Sequence, residues 1–198
     1  MTYNPQQHHR RSIRLKGYDY TQAGAYFITI CTHDRECLFG EVVDGKMRLN
    51  TAGTIIRQCW LDIPHHFPAA KLDEFVIMPN HVHGILVLAE WHVGARHAVP
   101  LQPQIERFGK PRAHSISTIV RSFKSAATKR VNEYRGIPGM PLWQRNYYEH
   151  TIRDMESLNR IREYIVNNPL QWLLDRENPD FVPARRAASH PKDEPWRL

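Results

Sequence analysis

The sequence predicts an α+β fold: an antiparallel sheet with helices mainly on one face, in the ferredoxin-like arrangement. Two observations carry that expectation. Segments of β-branched and aromatic character alternate with segments of helical spacing in the order strand, helix, strand, strand, helix, strand, helix. The strand over Leu72–Met78 and the apolar strand after it are joined only by Pro79-Asn80, a turn between consecutive strands.

The elements follow in order. Residues 1–22 read as an irregular basic arm, and Ala25–Thr32 as a strand. A short strand or hairpin is expected over Cys37–Leu49, with Asp44-Gly45 as its turn. Thr51 is the expected cap of an amphipathic helix reaching Asp62, with Ile55, Ile56 and Cys59 on its apolar side. Leu72–Met78 reads as a strand leading through Pro79-Asn80 into the apolar strand that begins at His81. Residues 90–113, with Pro100, Pro103 and Pro111 and no period, read as a loop insertion. A second helix is expected over Ser117–Tyr134, ended by Gly136-Ile137-Pro138-Gly139. Leu142–Ile152 is strand-like, and Asp154 caps a third helix running to Asn168 and stopped by Pro169. The expected organisation is one domain over residues 23–175, followed by a flexible tail over 176–198 that is rich in proline and charge.

Composition narrows the function classes. Cys31, Cys37 and Cys59 lack the paired spacing of a disulfide framework or a zinc ribbon and suit a reducing compartment. The N-terminus carries no apolar signal core, and the longest apolar stretch, Gly84 to Ala89, is too short to span a bilayer, so a cytoplasmic chain with no membrane partner is expected. The formal net charge of +7 is uneven. Arg10, Arg11, Arg14 and Lys16 cluster near the start, and Arg121, Lys124 and Arg130 lie on the second helix. Such clusters neutralise phosphates and release counterions, which makes nucleic acid the expected partner, although basicity alone also serves solubility.

His81-Val82-His83 holds the strongest chemical signal. Strand side chains alternate faces, so the two imidazoles project together while Val82 faces away. Two histidines on a rigid strand supply half a metal site; two surface histidines at a strand end are the plainer alternative. On the third helix Tyr164 and Asn168 are four residues apart and share a face, beside an apolar stripe of Ile161 and Ile165. Asn168 can complete an oxygen/nitrogen ligand set, and Tyr164 can stand beside a bound phosphate as a nucleophile. The competing reading makes Tyr164 a core-edge residue and Asn168 a helix cap.

Three blocks carry a family resemblance. His81-Val82-His83 after Met78-Pro79-Asn80 looks like the HUH motif. Leu142–Arg153, reading LWQRNYYEHTIR, resembles the "WQ…(Y/F)xEHxIR" block of REP-associated tyrosine transposases. Tyr164–Pro169, YIVNNP, is similar to that family's "YIxxNP" segment. The resemblance spans roughly residues 12–175 and implies an HUH endonuclease-type fold and a single-strand DNA endonuclease and strand transferase acting on palindromic hairpins. It implies His81, His83 and Asn168 as ligands of a divalent ion (Mg²⁺ or Mn²⁺), and Tyr164 as the catalytic tyrosine forming a 5′-phosphotyrosine. It leaves open a monomer or a homodimer, the base that activates Tyr164, and the role of His150. A non-catalytic hairpin-binding regulator and a water-using metallophosphoesterase are the competing readings. The aromatics Tyr18, Tyr20, Trp143 and Tyr147 are candidates for base stacking, with core packing as the alternative.

Overall fold

A computed structural model describes residues 22–89, 115–175 and 177–180. The arm that carries Arg10, Arg11, Arg14, Lys16, Tyr18 and Tyr20, the 90–113 insertion and most of the tail lie outside the described residues.

The strands are β1 (Gly24–Cys31), β2 (Gly40–Val43), β3 (Lys46–Leu49), β4 (Ala70–Ile77), β5 (His81–Leu88) and β6 (Tyr148–Ile152). The helices are α1 (Thr51–Leu61), α2 (Ile63–His66), α3 (Ile116–Arg135) and α4 (Met155–Asn167), and a 3₁₀ turn over Asn168–Leu174 follows α4. β1, β4, β5 and β6 form one antiparallel sheet in the order β4-β5-β1-β6, while β2 and β3 form a separate hairpin. This is the α+β architecture expected from the order of segments.

Alternation along the strands divides the sheet into two faces. Tyr26, Ile28 and Ile30 of β1, with Val82 and Leu86 of β5, join the larger apolar cluster formed with α1 and α3 through Ile56, Trp60, Ile119, Val120 and Phe123. Phe27 and Ile85 point the other way, where Ile161 and Ile165 of α4 close a smaller cluster with Ile152. Among the described residues α1 and α3 thus share one face, and α4 with the 3₁₀ turn after it covers the other. The apolar stripe expected at Ile161 and Ile165 is fully buried there; burying one such side chain contributes roughly 1.5–3 kcal/mol.

Local signals explain most boundaries. The Asp44-Gly45 turn has positive φ at both residues (51° and 69°), which matches the twist of the β2–β3 hairpin. Asp154 caps α4 by accepting the Ser157 amide, and α3 ends in a left-handed Gly136. Two expectations are corrected. The cap of α1 is Asn50, whose side chain accepts the Gly53 amide, and Thr51 is the first helical residue; both types cap well, so the sequence did not separate them. The strand expected over Leu142–Ile152 is shorter, because Leu142 and Trp143 turn into the core. Trp143 makes a single bridge to Thr32 and packs its ring against Phe39 and Phe123.

The packed chain continues past residue 175, where the domain was expected to end. Asn178 is buried and donates to the Trp172 carbonyl, and the Glu177 backbone carbonyl accepts from the Asn80 side chain. Among the described residues no helix is long and apolar enough to cross a membrane.

Candidate functional site

The face of the sheet beneath α4 carries the histidines. β1 and β5 align Thr29 with His83 and Cys31 with His81, so all four side chains rise from one side. The two imidazole rings lie 4.4 Å apart, centroid to centroid, and both residues are buried.

Each ring is oriented through its Nδ1. Asn80 donates its amide nitrogen to the backbone carbonyls of Arg35 and Glu177, which leaves its Oδ1 as the acceptor facing His81 Nδ1 at 2.9 Å. Nδ1 of His81 therefore carries the proton, and Nε2 keeps its lone pair. His83 Nδ1 contacts Thr29 Oγ1 at 2.8 Å, which turns Nε2 of His83 toward the phenol of Tyr164, 3.3 Å away. Phe27 wedges the arrangement, stacking on His83 and meeting Tyr164 edge to face.

Electrostatics favour neutral rings. Burial pushes His81 below the ordinary imidazole value, with Asp175, Glu177 and Asn168 acting in the opposite sense. Burial also pushes His83 well down, and the neighbouring His81 adds to that shift. A neutral imidazole is the form that ligates metal.

Asn168 sits one helical turn after Tyr164 and is buried at the start of the 3₁₀ turn. Its amide nitrogen donates to Asp175 Oδ2 at 3.3 Å, whereas its Oδ1 and the Nε2 of His81 are buried without a hydrogen-bond partner among the described residues. Buried polar atoms left so are uncommon, because each loses hydration without compensation. His81, His83 and Asp175 place ligand atoms within 4.8 Å of one another, a group able to hold a metal ion. The donor set of imidazole, amide and carboxylate suits a divalent cation.

Tyr164, His81, His83 and Asn168 therefore come together within one chain. Asp175 was not anticipated. It follows the proline-broken end of α4, where no period marks a residue; the one signal was an acidic residue closing the mostly apolar stretch Leu170–Leu174. His150 stands opposite Phe27 on the same face of the sheet, half-buried, with burial pushing its pKa down.

The basic residues divide. Arg121 is exposed on α3. Lys124 is pinned to the loop before β6, its ammonium donating to the backbone carbonyls of Gln144 and Arg145 at 2.6 and 3.2 Å, and burial draws its pKa down to about 8. Arg130 pairs with Asp62 of the α1–α2 junction at 3.1 Å. Lys124, Lys129 and Arg145 also line an open groove of about 740 Å³ between the end of α3 and the loop that precedes β6.

Comparison with known proteins gives a consistent placement. No family model matches the chain. A Haemophilus influenzae protein of uncharacterized function is 47% identical over 175 residues, covering 88% of this chain and 96% of its own length. The chain belongs to one family with that protein. A second protein of the same organism, described as a "Putative REP-associated tyrosine transposase", is 26% identical over 153 residues, covering 77% of this chain and 74% of its own. A solved REP-associated tyrosine transposase, bound in that structure to a REP hairpin, superposes with a TM-score of 0.53 at 18% identity, over 82% of this chain and 74% of the other.

Proposed function

We propose that this chain, which resembles the REP-associated tyrosine transposases and has their fold, is a metal-dependent nuclease and strand transferase acting on hairpin-forming single-stranded DNA. One observation carries the reading: the Tyr164 phenol lies 3.3 Å from His83 Nε2, beside a second buried imidazole whose Nε2 has no hydrogen-bond partner among the described residues. A nucleophile next to an open ligand set is the arrangement that phosphoryl transfer requires.

His81, His83 and Asn168 would hold the divalent cation, Mg²⁺ or Mn²⁺, which when bound polarises the scissile phosphate. The protein's own groups do the remaining work. Asn80 and Thr29 fix the two rings so that each Nε2 faces the reaction space. Phe27 and the α4 docking residues hold the Tyr164 ring against that space. The Tyr164 oxygen attacks phosphorus and gives up its proton; the bond from phosphorus to the 3′ oxygen breaks, and that oxygen leaves as a 3′-hydroxyl. The product is a 5′-phosphotyrosine, which conserves one phosphodiester for rejoining by another 3′-hydroxyl.

Hairpin DNA as the substrate rests on the resemblance and on the solved relative's own ligand. Arg10, Arg11, Arg14 and Lys16 of the arm, with the exposed Arg121, are proposed as phosphate contacts. The contacts of Lys124 and Arg130 assign them a further part in holding the loop and α1. The proposed setting is the bacterial cytoplasm, on nucleoid DNA, and the site needs only one copy of the chain.

Labelled hairpin oligonucleotides incubated with the protein and Mn²⁺ test the reading on a denaturing gel. A covalent protein–DNA band is expected for the native chain and none for Tyr164→Phe. Hairpin binding without any adduct would favour a non-catalytic regulator, and cleavage that survives Tyr164→Phe would favour a hydrolase.

A further inference from the structure

We propose that Asp175 is a further protein ligand of the metal centre, the anionic one, delivered by the 3₁₀ turn that follows α4. The proposal rests on the reading of His81, His83 and Asn168 as a metal site and adds a residue that neither strand alternation nor the motif resemblance supplies.

Three observations support it. First, position: Asp175 Oδ2 stands 3.7 Å from His81 Nε2 and 3.3 Å from the Asn168 amide nitrogen. The first separation is too long for a hydrogen bond and short enough for two atoms sharing one ion. Second, burial: the Asp175 side chain is 7% exposed and His81 is fully enclosed, so the carboxylate is largely withdrawn from water, and among the described residues the ring of His81 is its one ion-pair neighbour. Third, construction: the carboxylate is held in place. Its Oδ1 accepts the Glu177 amide at 2.8 Å, and the Asp175 amide donates to the Trp172 carbonyl. The turn is pinned in turn by Glu177, which pairs with Arg35 at 3.1 Å and accepts from the Cys31 thiol.

The chemistry explains why a carboxylate belongs there. Two imidazoles and one amide oxygen bring no negative charge, so a divalent cation on them alone would keep its full charge in a buried place. Carboxylate oxygen is also the ligand preferred by Mg²⁺ and Mn²⁺, the ions proposed here. Asp175 supplies both the charge and the oxygen, and it leaves the remaining positions to the substrate.

Binding of Mn²⁺ alone, measured by calorimetry on the full chain, tests this. Asp175→Asn is nearly isosteric, and its amide oxygen can still accept from Glu177, so folding should survive; circular dichroism and the thermal midpoint check that. Asp175→Ala provides a second variant. The proposal expects Mn²⁺ affinity to fall about 10–100-fold in both, with a smaller Mn²⁺-induced rise in thermal midpoint than in the native chain. Native affinity in Asp175→Asn, alongside its loss in His81→Ala, would overturn the role of Asp175 and leave the metal site standing. Native affinity in His81→Ala would overturn the site itself.

Discussion

The two faces of β5 place opposite demands on one strand. Val82, Leu86 and Leu88 enter an apolar cluster with α1 and α3, where packing shape and volume govern stability. His81 and His83 look the other way, where His81 Nε2 and Asn168 Oδ1 are buried without a hydrogen-bond partner among the described residues. One face stabilises the fold, and the other draws on that rigidity to hold atoms that would otherwise prefer water. The contrast teaches that the site is built onto the sheet rather than into its larger core, so chemistry and stability should separate under mutation.

The largest expected separation comes from His81→Ala. Cleavage should fall about 10³-fold or more, roughly 4 kcal/mol of transition-state stabilisation, while hairpin binding persists, because the proposed phosphate contacts lie elsewhere. A gel-shift titration beside the cleavage assay checks this; joint loss of both would break the division. Gly84→Ala probes the opposite face of the same strand. A Cβ there would stand 2.4 Å from Cζ2 of the fully buried Trp60, so overpacking should cost about 1–3 kcal/mol. Denaturant unfolding measures the loss, and cleavage per folded molecule should hardly change.

Thr29→Val sharpens the comparison further, since it removes only the hydroxyl that orients His83. Cleavage or Mn²⁺ affinity should drop about 10–100-fold with little change in the unfolding midpoint. The smallest effect belongs to Arg162→Ala. Arg162 holds Asp73 with two bonds of 2.8 and 2.6 Å, tying α4 to β4. As a partly exposed pair it should contribute about 0.5–1 kcal/mol. Hydrogen bonding from Arg162 holds the Asp73 carboxyl below its ordinary value of 3.8. That contribution is present above the ordinary value and lost as pH falls through the lower, folded one. The difference in melting between native and Arg162→Ala chains should therefore close in strong acid.

The sequence displayed those parts of the molecule that follow a period. Strand alternation placed His81 and His83 on one face, and helical spacing placed Tyr164 over Asn168 with Ile161 and Ile165 buried beside them. Asp175 escaped because a 3₁₀ turn after Pro169 has no regular face to read. The partners of Lys124 and Arg130 escaped for a related reason. A cation on a helix looks the same in sequence whether it meets DNA, a neighbouring carbonyl or Asp62 at the α1–α2 junction. Trp143 reads as a strand residue by type, yet its ring is claimed by Phe39 and Phe123.

The account turns on the α4 phenol being the group that takes the DNA strand. Mass spectrometry of the adduct formed with Mn²⁺ and a hairpin oligonucleotide locates the modified residue after proteolysis. A nucleotide attached through its 5′ phosphate to Tyr164 is the result predicted; attachment at another residue, such as Tyr147 or Tyr148, would contradict it.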